Sequence, residues 1–345
     1  MVQQHLKEAA NFQLSPATFV MPHWFKNPEL GERYLTITLS AIFNQIDPNW
    51  RLVLIDDGSS APETRFYLTQ LQREHPDKIY VIFKATNDGP GLCRNLGVQW
   101  AFEHGSPFIL FNDADDPPAP RRLERVRQVF VEQLATGVVY STFRVIDQAG
   151  QEIPLAEMTP SVAEVIEAHR RHPPQGDNAW IAIGTETGYV NHTSSTAVRT
   201  DLAIRYPFPP ERVSEDSHTW FRYSAGGGPF VYIDEPISTY RNTRDVAGSA
   251  SRAREGGKAG FYATKARVDT AGFQEAIQIA LANNKIRPEQ IEELMVRFHL
   301  RLAQTLAREG FPRLAADQIG AARTISPELT EQLVIEGGLA GEKKN

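Results

Sequence analysis

The stretch Phe111-Asn112-Asp113-Ala114-Asp115-Asp116-Pro117 directly follows a short apolar run at residues 108–111. It places three carboxylates within four residues, and such neighbours repel one another unless a cation lies between them. A divalent metal with oxygen ligands, itself holding substrate phosphates, would relieve that repulsion. The alternative is an acidic turn that caps a helix beginning near Pro120. An EF-hand is excluded, because Pro117 and Pro118 occupy positions that need a ligand and a glycine.

Around this stretch, short apolar runs alternate with amphipathic ones, which is typical of an α/β domain built on a largely parallel sheet. The predicted strands lie at residues 18–21, 51–55, 79–83, 108–111, 138–141 and 230–233. Residues 151–188 show no sustained period apart from a short helix near 162–169, and a further helix is predicted at about 216–225. Beyond residues 248–257 the composition shifts to Ala, Gln, Glu and Leu with helical spacing.

The overall composition excludes several classes of protein. The 345 residues include 36 Lys and Arg against 42 Asp and Glu, a formal net charge of -6, whereas a general nucleic-acid binder needs a dominant positive field. The single cysteine, Cys93, excludes an intramolecular disulfide framework. No apolar stretch approaches the roughly 18 residues of a membrane span. We therefore expect a soluble, cytoplasmic protein without a transmembrane segment, one that would reach a membrane substrate from the inner face.

A second acidic pair, Asp56-Asp57, again follows a predicted strand and opens the sequence Asp-Asp-Gly-Ser-Ser. In open α/β sheets, ligands bind in the crevice outside the carboxyl ends of the strands. Two acidic strand ends in one sheet therefore indicate a single shared crevice. An Asx-turn explains this pair equally well.

Residues 87–97 contain three glycines and one arginine, Arg94. Their spacing departs from Gly-x-Gly-x-x-Gly because Arg94 stands where the third glycine belongs, and the sequence has no P-loop motif, so both nucleotide-binding motifs are disfavoured. Arg94 lies near the start of a predicted helix, where it would meet an anion or a nucleobase edge. An ordinary surface arginine is the alternative.

Glu215-Asp216 lie at the start of the helix predicted at about 216–225. An aspartate in this position is commonly an N-cap, and capping is compatible with proton abstraction if one carboxylate oxygen stays open. His192, just before residues 193–195, is a candidate for contact with acceptor hydroxyls. A hydrogen-bonded structural histidine is the alternative.

Taken in order, these motifs resemble those of the family-2 glycosyltransferases of the GT-A fold. The resemblance covers about residues 17–251 and implies a Rossmann-like, mostly parallel sheet flanked by helices, with a C-terminal α-helical extension. The stretches that carry it are Val20-Met21-Pro22, Asp56-Asp57-Gly58-Ser59, residues 89–97, Asp113-Ala114-Asp115-Asp116, Glu215-Asp216 and residues 235–241.

The resemblance implies an inverting transfer of a sugar from a nucleotide-sugar, most often a UDP-sugar, to a hydroxyl acceptor that is a saccharide, a lipid-linked molecule or a small molecule. Asp216 matches the catalytic base, with Glu215 supporting the acceptor site. Asp115, with Asp113, would ligate Mg²⁺ or Mn²⁺ bridging the two phosphates. The donor-binding residues implied in the same way are Pro22, His23, Trp24, Asp56, Asp57, Arg94, Asp113, Ala114, Arg241 and Arg244.

Two departures from the family pattern concern the donor. The family usually has Thr-Tyr-Asn after the first-strand proline, whereas this chain has His23-Trp24-Phe25, which predicts a wider-walled or more aromatic base pocket. Many relatives also carry a histidine shortly after the Tyr-Arg pair, where this chain has residues 242–245 without one. We expect Arg241 or Arg244 to supply charge to the diphosphate instead.

Three parts are predicted along the chain. They are an N-terminal helical or extended arm at 1–16, a GT-A domain at 17–250 and a C-terminal helical domain at 251–345 that docks on the catalytic domain or pairs two subunits. The GT-A domain divides into a nucleotide-sugar-binding half at 17–118 and an acceptor-side half at 119–250. Two other functions stay open: a non-catalytic nucleotide-sugar-binding scaffold and a sugar-nucleotide pyrophosphorylase.

Overall fold

The computed structural model describes residues 2–188, 190–242 and 256–336. These residues form seven strands, namely β1 Ala17–His23, β2 Trp50–Asp56, β3 Ile79–Phe83, β4 Phe108–Phe111, β5 Val138–Ile146, β6 Thr196–Arg199 and β7 Phe230–Arg241. One sheet holds them in the order β3-β2-β1-β4-β6-β5-β7. The pairings are parallel except for β6, which runs antiparallel to both β4 and β5. The predicted α/β fold with a mostly parallel sheet is confirmed.

Strand β6 is the element of the sheet that the sequence patterns do not predict. It spans four residues, too few to show the two-residue alternation of a half-buried strand. Because it runs against its neighbours, β6 begins at the edge of the sheet where β4 and β5 end. The residues just before Thr196 therefore reach the same edge as the acidic motif after β4.

The core follows from the alternation of side chains along each strand. Phe19, Leu52 and Leu110 point to one face of the sheet and belong to one apolar cluster, whereas Val20 and Phe111 point to the other face and belong to a second cluster. Helices cover both faces, so most strand residues are buried.

Seven of the helices α1 to α9 cover the two faces of the sheet. The first face is covered by α1, α2, α3 and α5, which contribute Phe12, Leu35, Leu68 and Phe130 to its cluster, and the second by α4, α8 and α9. The bounds are α1 Val2–Leu14, α2 Pro28–Phe43, α3 Pro62–Glu74, α4 Pro90–Glu103, α5 Arg122–Glu132, α6 Pro160–Arg171, α7 Ala179–Ala182, α8 Thr200–Arg205 and α9 Glu215–Gly226. Prolines in the first turn of α2, α3 and α4 suit helix starts, because their missing N–H has no intrahelical partner there.

Four more helices follow, namely α10 Lys258–Ala282, α11 Ile291–Arg308, α12 Pro312–Ile325 and α13 Pro327–Glu336. They confirm the helical C-terminal extension. Phe273 of α10 and Phe298 of α11 stack with ring centroids 4.4 Å apart, and both lie in the same apolar cluster as Phe111 of the sheet. The predicted boundary near residue 250 lies outside the described residues, so the division into domains stays a prediction. None of the helices in the described part of the chain has the length and apolarity needed to cross a bilayer.

Candidate active site

A cluster of acidic groups follows β4 at the carboxyl edge of the sheet. One carboxylate oxygen of Asp113, one of Asp116 and one ring nitrogen of His192 all lie within 4.8 Å of one another. Ser194 donates from Oγ to Asp116 Oδ2 over 2.7 Å, and its Oγ accepts the backbone N–H of Asp113 over 2.9 Å. The backbone N–H of Arg241 donates to the other Asp116 oxygen over 2.7 Å. The loop before β6 is thus hydrogen-bonded to the acidic motif.

Repulsion within this cluster perturbs the titration of its members. Burial and the charge of Asp113 raise the pKa of Asp115 to about 6. Burial, with the charges of Asp115 and Asp113, raises the pKa of Asp116 well above its ordinary value. Burial lowers the pKa of His192 to about 4, so its imidazole is neutral at neutral pH. A divalent cation accepts both kinds of ligand: carboxylates, whose mutual repulsion it relieves, and the nitrogen of a neutral imidazole.

The donor set therefore fits the divalent metal that the family pattern implies. The sequence assigns the metal to Asp113 and Asp115, while the three-residue cluster is formed by Asp113, Asp116 and His192. Asp115 is half-buried beside this cluster, and its backbone carbonyl accepts a hydrogen bond from Arg241 Nε over 3.0 Å. Asp116 and His192 were not assigned to the metal from the sequence, since His192 lies more than 70 residues further along the chain. Metal ligation by Asp115 stays a prediction.

Arg94 connects the acidic motif to the start of α9. Its Nη2 donates to Asp113 Oδ1 over 2.8 Å and its Nη1 donates to Glu215 Oε1 over 2.9 Å. The side chain is 3% exposed. Burial acts to lower the pKa of Arg94, but the carboxylates of Asp113 and Glu215 raise it overall, so the guanidinium stays charged. Arg94 is thus a buried bridge between two carboxylates.

Glu215 and Asp216 have different surroundings although they are adjacent. Glu215 is buried, and burial together with the charge of Asp216 raises its pKa to about 7 against the opposing charge of Arg94. Asp216 is half-buried; its Oδ1 accepts the backbone N–H of Ser217 over 2.8 Å, and its Oδ2 lies 3.4 Å from Thr193 Oγ1. The N-cap position belongs to Ser214. Asp216 is therefore not the N-cap residue, and the side chain of Ser214 makes no capping hydrogen bond.

The carboxylates of Asp56 and Asp57 are buried and hold the loops at the ends of β2 and β3. Asp56 accepts hydrogen bonds from the hydroxyl of Ser59 over 2.5 Å and from its backbone N–H over 3.2 Å, three residues along the chain rather than the two of an Asx-turn. Asp57 accepts from Lys84 Nζ over 2.5 Å and from the backbone N–H groups of residues 88 and 89, each over 2.9 Å. These contacts lower the pKa of Asp57, although burial acts in the opposite direction. Both aspartates thus order the rim of the crevice.

A cleft of about 630 Å³ opens beside the carboxyl end of β1. His23, Phe25 and Tyr67 give it aromatic walls, and the aromatic base pocket stays a prediction. Its other lining groups include three glutamates, Glu29, Glu32 and Glu63. These carboxylates give the cleft a negative charge.

The remaining residues predicted to bind the donor differ in burial and in the contacts that they make. Pro22 and Trp24 are half-buried at the end of β1, and Ala114 is buried within the acidic motif. Arg241 is also buried; its Nη1 donates to the carbonyl of Asp147 over 2.8 Å, which leaves less of its guanidinium for a diphosphate. Arg244 lies outside the described residues.

A mostly parallel sheet with one reversed strand, carrying a carboxylate cluster at its carboxyl edge, belongs to the GT-A class of α/β folds. The family model described as glycosyl transferase family 2 matches residues 18–191, about half of the chain. The chain belongs to this family, which confirms the resemblance drawn from the motifs.

Curated relatives are described as glycosyltransferases. The chain is 33% identical over 154 residues to "Uncharacterized glycosyltransferase alr2836" of Nostoc sp., a match covering 43% of this chain and 44% of the relative. It is 30% identical over 125 residues to an "Uncharacterized glycosyltransferase" of Haemophilus influenzae, covering 36% of this chain and 48% of the relative. The matches thus span less than half the length of these relatives.

Solved structures share the fold over most of the chain. TarS of S. aureus, crystallised in complex with UDP, matches with a TM-score of 0.53 at 17% identity over 92% of each chain. The mannosyltransferase PcManGT of Pyrobaculum calidifontis, in complex with GDP-Man and Mn²⁺, matches with a TM-score of 0.51 at 17% identity over 99% of this chain and 88% of that one. At these identities the likeness establishes the GT-A fold.

Proposed function

We propose that this protein transfers a sugar from a nucleotide-sugar, a UDP-sugar in the first instance, to a hydroxyl acceptor with inversion at the anomeric carbon. The observation that carries the proposal is the Arg94 bridge, which links Asp113 of the acidic motif to Glu215 beside Asp216. A single crevice thus has a cation-binding side and a proton-accepting side. Family membership and structural neighbours that were solved with UDP or GDP-Man support a nucleotide-sugar donor.

Two sets of residues could hold Mg²⁺ or Mn²⁺. The motif predicts Asp113 with Asp115, whereas proximity in the structure favours Asp113 with Asp116 and His192. When bound, such a cation supplies positive charge that stabilises a departing diphosphate. The carboxylate–imidazole set accommodates either metal, so the choice between them belongs to experiment.

Asp216 is the proposed general base. It removes the proton from the acceptor hydroxyl as that oxygen bonds to the anomeric carbon, a role suited to a half-buried carboxylate near the crevice. Glu215 is less suited, because its carboxylate is buried in the ion pair with Arg94. Thr193, whose Oγ1 lies 3.4 Å from Asp216 Oδ2, orients the base. No covalent intermediate on the protein is required.

The substitution Asp216→Asn tests the base assignment. We expect it to lower sugar transfer by about 10²- to 10⁴-fold, the usual contribution of a general base, while Mn²⁺-dependent UDP binding persists. The assay follows UDP release from a panel of UDP-sugars with water or p-nitrophenyl glycosides as acceptors. Asp317→Asn, the same change at an exposed position of α12, is the matched control. Wild-type transfer by Asp216→Asn would contradict the assignment.

The same assay separates the enzyme from the scaffold alternative. A non-catalytic nucleotide-sugar binder would be stabilised by UDP and Mn²⁺ in a thermal melt, since a ligand that binds the folded state raises Tm, yet would release no UDP with any donor. Testing Asp115→Asn, Asp116→Asn and His192→Gln in the same melt identifies the cation ligands. Loss of the Mn²⁺-dependent shift marks a ligand, and an unchanged shift removes that residue from the set.

A further inference from the structure

Ser214, directly before the Glu215-Asp216 pair, has an unusual backbone conformation. Its φ of 61° lies in the left-handed region, which among the non-glycine residues of the described part of the chain is shared by Asn284 alone. A side chain makes this region unfavourable, so it persists where surrounding contacts enforce it. The φ and ψ angles of Ser214 set the direction in which α9 begins, and therefore where Glu215 and Asp216 point.

Two side chains of the C-terminal helix α10 hold Ser214. Its hydroxyl donates to Asp269 Oδ1 over 2.5 Å and lies 3.1 Å from Lys265 Nζ. Lys265 Nζ also donates to Asp269 Oδ2 over 2.7 Å, one helical turn away. The side chains of Lys265 and Asp269 are largely buried, at 20% and 9% exposure. Solvent therefore screens the interactions among the hydroxyl, the ammonium and the carboxylate only weakly.

Helix α10 contacts α9 beyond this point as well. A Cβ built on Gly272 would lie 2.6 Å from the Cα of His218, so a glycine is required where α10 passes this residue of α9. At the far end of α9, Lys285 donates to the carbonyls of Ser224 over 2.9 Å and Gly227 over 2.6 Å. Cations stabilise helix C-termini because the last carbonyls have no intrahelical partner.

We propose that Lys265 and Asp269 are positioning residues for sugar transfer: by holding Ser214 in its left-handed conformation, they aim Glu215 at Arg94 and Asp216 into the crevice. The proposal rests on the proposed role of Asp216. It assigns a catalytic purpose to α10, which lies beyond the residues that match the family model. Asp269 lies 55 residues after Ser214 along the chain, so a later helix would hold the residues next to the proposed base.

The test compares two ends of the same helix. Asp269→Asn should lower kcat by about 10- to 100-fold, the cost of a small misplacement of a catalytic group, with UDP binding unchanged. Lys285→Met removes the contacts at the far end of α9 and serves as the matched control. It should lower Tm but leave kcat unchanged. Equal kcat values for Asp269→Asn and wild type, or equal losses in both variants, would show a merely structural role and overturn the proposal.

A second measurement does not depend on catalysis. The contacts that Lys265 and Asp269 make with Ser214, called the clamp here, act at the start of α9 alone. Amide hydrogen exchange over residues 211–220 should therefore accelerate in Asp269→Asn and stay at the wild-type rate in Lys285→Met. Ser214→Gly provides a variant that folds readily, since glycine adopts a positive φ without strain; without the hydroxyl it should reproduce the loss in kcat. Unaltered exchange in Asp269→Asn would refute the clamp. Absence of transfer by the wild type with every donor would instead refute the proposed function.

Discussion

The two sides of the crevice are held in place by different parts of the chain. The donor edge, defined here as Asp56, Asp57, Asp113 and Asp116, is anchored by groups of the sheet layer such as Lys84 and Ser194. The base edge, defined as residues 214–216, is anchored by α10 of the C-terminal extension. On the proposed function, recognition of a nucleotide and deprotonation of an acceptor would therefore depend on separable supports.

A second C-terminal contact reaches the loop that leads to His192. Arg301 of α11 donates to the carbonyls of Glu186 over 2.7 Å and Thr187 over 2.9 Å. Its guanidinium fills the space beside Gly188, where a Cβ would lie 2.6 Å from Nη2. The C-terminal helices therefore support two segments next to the crevice, which explains how they contribute without entering the acidic motif.

The largest effect is expected at Arg94, because it joins the donor edge to the base edge. Arg94→Met leaves the buried Glu215 and the half-buried Asp113 without their cation, so we expect a loss of about 3–5 kcal/mol in the free energy of unfolding together with loss of transfer. Urea unfolding and UDP release measure the two effects.

Arg94→Lys distinguishes bridging from charge alone. Lysine keeps the positive charge but has one compact ammonium group in place of a planar fork, so it is a poor substitute where two carboxylates are held at once. We expect this variant to fold and to transfer sugar much more slowly than the wild type. Full activity in Arg94→Lys would mean that the bridge is unnecessary and that the two edges act independently.

A smaller effect, confined to the donor edge, is expected at Lys84. Lys84→Met removes the cation of the buried Asp57 but leaves the two backbone N–H donors, so we expect a cost of about 1–3 kcal/mol and weaker UDP binding. Hydrogen exchange over residues 211–220 should not change. Lys78→Met, which removes a lysine bonded to the carbonyls of Pro48 and Trp50 at the opposite end of β2, should destabilise without weakening UDP binding. Faster exchange at the base edge in Lys84→Met would contradict separate supports.

The smallest effect is a pH dependence at the contact between α9 and α10. Burial, with the charge of Arg222, lowers the pKa of His218 to about 4. A histidine whose folded pKa lies below its unfolded value of about 6.5 makes the protein less stable as the pH falls from about 6.5 towards 4, because the unfolded chain binds the proton first.

We expect His218 to account for a loss of ~1–2 kcal/mol between pH 7 and pH 5. Urea unfolding of the wild type and of His218→Asn at both pH values measures this contribution as the difference between their pH slopes. Identical slopes would show that His218 is as easily protonated in the folded protein as in the unfolded chain.

Much of the fold could be predicted from residue patterns. Four strands and the helix that begins with Glu215 and Asp216 were predicted close to their observed bounds, because buried parallel strands are apolar runs and their carboxyl ends meet at one edge. The starts of β5 and β7 were also predicted, but these strands extend five and eight residues beyond their predicted ends. The acidic motif after β4 likewise indicated a cation site, since closely spaced carboxylates repel whatever the surrounding fold. These features depend on residues that are close together in the sequence, so they can be recognised without the tertiary structure.

The tertiary structure alone decided which distant groups complete the site. Strand β6 is too short to show a period, yet its reversed direction brings His192 and Ser194 to Asp116. Arg94 resembled a donor contact or a surface residue in the sequence, but burial between Asp113 and Glu215 makes it a bridge. Hydrogen bonds and ion pairs across more than 50 residues follow from packing, and packing has no period that a sequence pattern can reveal.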